Sequence, residues 1–224
     1  MGAGQSLNMP VITSPVFHIT FVRHGESTGN AENRLQGLSD FPLSEIGRAQ
    51  AQALAERWRS EGLSFDTAIT SPLIRASETA RILVSALNIP TLEFDPLWVE
   101  RDMGKRSGMT MAEIQAQFQD PEFINPYDSF DESGESDWAL YLRGGHALHK
   151  ILQRPPARYL VVTHGAILNM TLYAILGIAP QPNFQGPRFG LENTAFAAFR
   201  YYPGKHRWRV EVIGDRTHWN PRPV

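Results

Sequence analysis

Apolar runs of strand length alternate along this chain with stretches of helical spacing. That alternation predicts an α/β fold, a three-layer α/β/α sandwich around a mostly parallel sheet with a small inserted lid. The segment Tyr159 to Thr163 (Tyr-Leu-Val-Val-Thr) is apolar without alternation, as a parallel strand covered on both faces should be, and it runs straight into a helical stretch, Ala166 to Leu176. The length of 224 residues suits one such domain with a sizeable core. The expected layout is a flexible leader over 1–15, a single domain over 16–213 with a lid at about 105–145, and a loose tail over 214–224.

The elements follow in order. Val16 to Val22 is β-branched and apolar and reads as the first strand. A loop from Asn30 to Leu43 comes next, long enough to suspect a binding role. Ser44 is an N-cap for a helix over Glu45 to Ser60, with Ile46, Ala49, Ala53, Leu54 and Trp58 as the apolar stripe and Gly62 as the stop. Asp66 to Thr70 is a second strand. Ser71-Pro72 then opens a helix, serine as cap and proline in the first turn, burying Leu73, Ala76, Ala80, Leu83, Val84 and Leu87. Asn88 to Phe94 is a further strand, and Thr110-x-x-Glu113 is a capping box for a short helix to about Phe118.

From Asp120 to Gly134 the chain is rich in proline, acids and aromatics without period, and suits an irregular insert. A helical segment from Gly134-Glu135-Ser136 to about Gln153 carries Gly144-Gly145 in its middle, which weakens it. His146 and His149 lie there with no carboxylate at ligand spacing, so they are expected to be surface or core residues. After Gly177, Asn193 to Tyr201 and Trp208 to Ile213 read as antiparallel edge strands.

Several of these elements end in reactive side chains. The first strand stops at Arg23-His24-Gly25, and the strand over 159–163 stops at His164-Gly165. In open α/β sheets the carboxyl edge of the strands is where ligands bind. Arg23 offers a planar fork for phosphate or carboxylate and, as a like charge, favours a neutral imidazole at His24. Arg75 sits in a helical first turn, where a cation opposes the helix dipole unless an anion is bound nearby. Glu100, at the end of Leu97-Trp-Val, is the candidate acid; the rival reading is an ion pair with Arg101 or Arg106. Gly165 opens a helix whose N–H groups favour an anion. Gln36 and Gly37 would bring an amide and a bare backbone toward His24. With Asn30, this inventory suits a pocket for a tetrahedral dianion. Two other readings stay open: a divalent metal held by His24, Glu26, Glu100 and His164, which Arg23 and Arg75 would repel, and an inactive module that docks a phosphorylated protein.

These residues also form a recognisable set. Arg23-His24-Gly25-Glu26-Ser27, Arg75 within Ser-Pro-Leu-Ile-Arg-Ala, Glu100 and Thr163-His164-Gly165 resemble the histidine phosphatase superfamily, which includes the cofactor-dependent phosphoglycerate mutases. The resemblance runs from about residue 17 to 200. It implies a phosphohistidine on His24, with Arg23, Arg75 and His164 on the phosphoryl oxygens and Glu100 as proton donor to the leaving group. The mutases of that superfamily carry a longer insert with paired arginines after the acid, whereas Asp120 to Asp137 is acidic here. Gly134-Glu135-Ser136 is similar to the phosphatase branch. Lys105-Arg106 departs from it, where an aromatic–acidic pair is common, and could bind an acidic substrate. A phosphatase is the expectation, with mutase-type transfer as the alternative.

Composition narrows the partners. The net charge of −2 includes no long basic run, which argues against nucleic acid. With no cysteine, disulfides, thiolate nucleophiles and zinc-thiolate sites are excluded. No apolar run approaches the roughly 20 residues of a membrane span. Met1-Gly2-Ala3-Gly4-Gln5-Ser6 fits the N-myristoylation pattern. A Gly/Ser-rich leader matches it by chance, and one acyl chain without a basic patch anchors weakly. The expectation is a cytosolic protein acting on a phosphorylated small molecule or phosphoprotein, with no metal, no cofactor and no stable membrane association.

Overall fold

A computed structural model describes residues 15–119, 121–129 and 133–219. The leader over 1–14, with its Gly2 motif, lies outside the described residues. Six strands form one sheet in the order β3-β2-β4-β1-β5-β6. They are β1 (Phe17–Arg23), β2 (Thr67–Thr70), β3 (Leu92–Phe94), β4 (Arg158–Thr163), β5 (Phe196–Tyr202) and β6 (Arg207–Asp215). The first four pair in parallel, and β5 and β6 add antiparallel neighbours at one side.

The pleat sends alternate side chains to opposite faces, and each face has its own core. Phe17, Ile19 and Phe21 of β1 join Tyr159 and Val161 of β4 beneath α5 (Asp137–Leu152) and α6 (Gly165–Leu176). Val22, Leu160 and Val162 face α2 (Glu45–Ser60) and α3 (Ile74–Leu87) instead. Helices therefore cover both faces of a mostly parallel sheet, the expected α/β sandwich. Gly144 of α5 packs where a Cβ would stand 2.8 Å from Thr171 Oγ1 of α6. Gly144, which weakens α5 by propensity, is thus what lets the two helices approach.

Details of the sequence reading shift. Glu45–Ser60 is the α2 span, capped by Ser44, but its buried face is Gly47, Gln50, Ala51, Leu54, Ala55 and Trp58, and Ile46 is exposed. The loop after Asn30 is preceded by a one-turn helix α1 (Thr28–Ala31), capped by Ser27. α3 starts at Ile74, not at Ser71-Pro72, and Leu73 at its N-cap makes no side-chain bond. Asn88 is the left-handed end of α3 rather than a strand residue, so β3 is only Leu92–Phe94. The capping box forms at Thr110 and Glu113 on α4 (Met111–Gln117). Residues 137–145, assigned to the lid, belong to α5 and the core layer. His146 and His149 are exposed on that helix. Gly214 and Asp215, expected in a loose tail, end β6 instead, and the Asp215 carboxylate receives two Arg57 N–H groups at 2.8 Å each. Among the described residues no helix is long and apolar enough to cross a membrane.

Candidate active site

The parallel ladder assembles the site. Arg23 pairs with Thr163, and His24 N donates to Thr163 O at 2.9 Å, so the next residue on each strand, His24 and His164, must stand side by side. Their ring centroids are 5.1 Å apart, and both side chains are buried. On the other flank of β4, Ser71 N donates to Val162 O, which brings Ser71 Oγ to 2.7 Å from His164 Nε2. Ser71, read as a helix cap, is a histidine partner instead.

A backbone carbonyl defines the His24 proton. His24 Nδ1 lies 2.6 Å from Gly25 O, and a carbonyl only accepts. The proton is therefore on Nδ1, and Nε2 carries the lone pair. Ser71 Oγ also receives the Leu73 N–H at 3.2 Å, and both its second lone pair and its hydrogen suit the contact with His164 Nε2. His164 Nδ1 is buried without a partner among the described residues. Burial foremost, then the charges of Arg23 and Arg75, hold His24 well below the ordinary imidazole pKa of 6.5. Burial, followed by Arg75, His24 and Arg23, does the same to His164. Both rings are neutral at pH 7.

Two guanidinium groups complete the cluster. Arg23 Nη1 donates to Leu191 O at 2.8 Å, and Arg75 donates to Ser39 O at 2.9 Å and Gly37 O at 2.8 Å. Gly37 thus enters through its carbonyl, fastening the 30–43 loop to Arg75. Burial pushes Arg75 down to about 10 against the pull of Glu100 and Asp40, so it keeps its charge. The Nε atoms of Arg23 and Arg75 are both buried and unpartnered among the described residues. An unmet buried donor costs about 1–3 kcal/mol, a cost that anionic oxygens would relieve.

Glu100 leaves the short helical turn Pro96–Trp98 and folds onto the start of α6. Its Oε1 accepts from Arg101 N, Ala166 N and Ile167 N at 2.8, 3.2 and 3.2 Å. Oε2 accepts from Ala166 N at 3.2 Å. The rival ion pair is not formed: Arg101 pairs with Asp137, and Arg106 is buried against the Phe118 ring at 4.7 Å. Lys105-Arg106 therefore presents at most one accessible cation to a substrate, since only Lys105 is exposed.

Further residues support the cluster without having been singled out by sequence. Arg143 donates to the carbonyls of Leu97, Val99 and Glu100, fastening the segment that carries the acid. Asn193 Nδ2 donates to His24 O at 3.0 Å and Asn30 Oδ1 at 3.2 Å. Asn30 Oδ1 also accepts from Ser27, and Gln36 Oε1 accepts from Ser27 Oγ at 2.7 Å, so both amides brace the His24 loop. Asn193 is one asparagine among loop residues, and nothing local marks it.

Residues 19–216 match the family described as histidine phosphatase superfamily (branch 1). The chain belongs to the histidine phosphatase superfamily. It is 33% identical over 210 residues to a protein of Enterobacter sp. (strain 638) named probable phosphoglycerate mutase GpmB, covering 91% of this chain and 95% of that one. It is 31% identical over 201 residues to phosphatase PhoE of Bacillus subtilis (strain 168), described as uncharacterized, covering 89% and 95%. The structure of YhfR from Bacillus stearothermophilus superposes with a TM-score of 0.74 at 27% identity, covering 90% of this chain and 98% of that one. The chain is therefore a phosphatase- or mutase-like enzyme of phosphoryl transfer.

Proposed function

We propose that this enzyme hydrolyses phosphomonoesters through a phosphohistidine on His24. The observation that carries the proposal is the buried, neutral His24, its proton held on Nδ1 by Gly25 O and its Nε2 lone pair set among Arg23, Arg75 and His164. Phosphoryl transfer asks mainly for positioning and charge stabilisation, which fixed guanidinium groups supply without a metal.

The reaction balances over these residues. Nε2 of His24 donates its lone pair to phosphorus as the ester P–O bond breaks, and the leaving oxygen takes a proton from the Glu100 carboxyl group. Arg23, Arg75, His164 and the Gly165 end of α6 hold the phosphoryl oxygens; Asn30, Gln36 and Gly37 shape the loop around them. Water then attacks phosphorus, gives a proton back to Glu100, and breaks the P–N bond, releasing phosphate and neutral His24. Oε2, with a single N–H donor, is the oxygen suited to exchange the proton.

Hydrolysis is favoured over mutase chemistry because the insert offers few cations for a second acidic group: Arg101 is paired with Asp137 and Arg106 is buried. The naming of PhoE as a phosphatase points the same way. We place the enzyme in the cytosol, independent of divalent metal. Turnover of labelled substrate quenched in base should leave acid-labile label on wild type and none on His24→Ala, with phosphate release exceeding interconversion of 3- and 2-phosphoglycerate. Equal turnover by His24→Ala removes the mechanism; dominant isomerisation makes the enzyme a mutase.

A further inference from the structure

A glutamine sits on the buried face of α2 beside Gly47, Ala51 and Leu54: Gln50 is 5% exposed. Burying an amide costs free energy unless its polar atoms find partners. Gln50 Oε1 accepts from Glu26 N at 2.9 Å. The Glu26 N–H and the Gly25 carbonyl belong to one peptide group, and that carbonyl oxygen is the one 2.6 Å from His24 Nδ1. A single peptide plane therefore separates Gln50 from the ring that attacks.

The flanking peptide groups are held by other elements. Gly25 N donates to Thr79 Oγ1 of α3 at 3.0 Å, and His24 O accepts from Asn193 Nδ2 at 3.0 Å and from Thr194 N at 3.3 Å. Glu26 O, on the other side, accepts from Ser44 N at 2.9 Å. Between them, the 25–26 peptide is held by Gln50 at its N–H and by the His24 ring at its oxygen. Glycine at position 25 makes rotation of that plane cheap. Turned over, it would present the Glu26 N–H to Nδ1 and favour the tautomer protonated on Nε2, which has no lone pair for phosphorus. The same rotation would set Gly25 O against Gln50 Oε1, two acceptors face to face, unless the side-chain amide turned over with it.

We infer that Gln50 is a positioning residue for His24, acting through the 25–26 peptide to keep the ring proton on Nδ1 and to support the positive charge that the ring takes up with the phosphoryl group. The inference rests on the proposed phosphohistidine. When Nε2 bonds to phosphorus the ring becomes cationic, and Nδ1–H becomes a stronger donor while keeping its proton. An N–H engaged by an acceptor makes the carbonyl oxygen of the same peptide a better acceptor, because hydrogen bonds in a chain polarise one another. The chain from Gln50 Oε1 through the peptide to Nδ1–H is thus stronger in the phosphorylated ring than in the resting one. A third group that orients the nucleophile's partner is the general logic of an activated nucleophile, supplied here through a backbone carbonyl.

Nitrogen NMR of the histidine rings, with His24 assigned by its loss in His24→Ala, reads the tautomer directly. Turnover of an aryl phosphate, with inorganic phosphate as the competing inhibitor, reads chemistry and anion binding separately. Gln50→Met and Gln50→Leu remove the acceptor and keep apolar bulk. Gln50→Glu keeps an acceptor and, as a carboxylate, cannot turn over into a donor. The two apolar variants should show mixed tautomers at His24 and lower kcat/KM by about tenfold, the worth of one hydrogen bond that strengthens in the transition state. Their inhibition constant for phosphate should stay within about twofold, because Arg23 and Arg75 are untouched. Gln50→Glu should keep the Nδ1 proton and recover most of the lost turnover.

An unchanged tautomer in the apolar variants overturns the inference, whether or not turnover falls. A Gln50→Glu enzyme no more active than Gln50→Met does so too. A fall in kcat/KM matched by an equal loss of phosphate affinity shows that the glutamine only packs the loop, and also overturns it. Loss of the Nδ1 proton in Gln50→Glu has the same force, so the test stands even if neither apolar variant folds. If acid-labile label forms on His24 of the wild type and the apolar variants keep both tautomer and rate, the inference alone fails. If the wild type carries no such label, the hydrolytic mechanism fails and takes with it the support of the phosphorylated ring, while the spectra of the resting enzyme still decide the hold of Gln50 on the tautomer.

Discussion

A single carbonyl decides the chemistry of His24. Gly25 O accepts the Nδ1 proton, so the nitrogen that attacks is Nε2 and the tautomer needs no rearrangement before reaction. Because burial and two arginines hold the ring well below its ordinary pKa, protonation should not limit the free enzyme near pH 6.5. We expect kcat/KM, corrected for ionisation of the phosphate ester, to stay level down to pH 6 and fall only below it; an acid limb centred at 6.5 would mean that the imidazole is not shielded as described. Asn193 is the complementary case, since it touches His24 only through the backbone carbonyl. Asn193→Ala should lower kcat by about tenfold with little change in KM, and Asn193→Asp should not restore it, because the amide donor is what reaches His24 O. A steady-state comparison of the three enzymes checks this.

Among the elements, the crossing of the His24 loop over α2 is the tightest joint. A Cβ on Gly47 would stand 1.9 Å from Glu26 O, and one on Gly25 would stand 2.5 Å from Gly47 O. Both obstacles are backbone atoms, which cannot swing aside as a side chain can. Gly47→Ala should therefore cost about 3 kcal/mol or more of stability and move His24, read as a lower urea midpoint together with loss of turnover. An alanine there with unchanged midpoint would show that the loop is not pinned to the helix. The same crossing explains why the buried face of α2 departs from its apolar period. Ile46 fits a helical apolar period, but Gly47 has to face inward for the loop to pass, and that rotates Ile46 into solvent.

At the scale of the whole molecule, the buried histidines link stability to pH. His18, His24, His164 and His218 all have folded-state pKa values lowered from 6.5, His218 to about 4, chiefly by burial. Below 6.5 the unfolded chain binds more protons at these sites than the folded one, so stability is complete above that pH and is lost as pH falls. Asp215, depressed by Arg57, adds its loss below its ordinary value of 3.8. The midpoint of thermal unfolding should thus be level from pH 8 to 6.5 and drop steadily toward pH 4. A constant midpoint across that range would contradict the burial of these rings. Phosphate, by pairing with the arginines, should raise the midpoint at pH 7 in wild type and not in Arg75→Ala.

The sequence by itself determined the α/β alternation, the span of α2 and the strand ends that carry Arg23, His24 and His164, because hydrophobic period, caps and strand breaks are local signals. Tertiary structure alone decided which buried partners those residues have. Ser71 on His164, Asn193 on His24 and Arg143 on the acid segment are 93, 169 and 43 or more residues apart in the chain; parallel β2–β4 pairing joins the first, the antiparallel β1–β5 pair the second, and α5 brings in the third. A cavity past Gly165 is of the same kind: its walls come from Leu35, the 101–103 segment, α5, α6 and the 181–192 loop, and no one of those segments announces it. A local pattern specifies what a stretch of chain becomes; a pocket arises from surfaces that meet only after the sheet has set their distances.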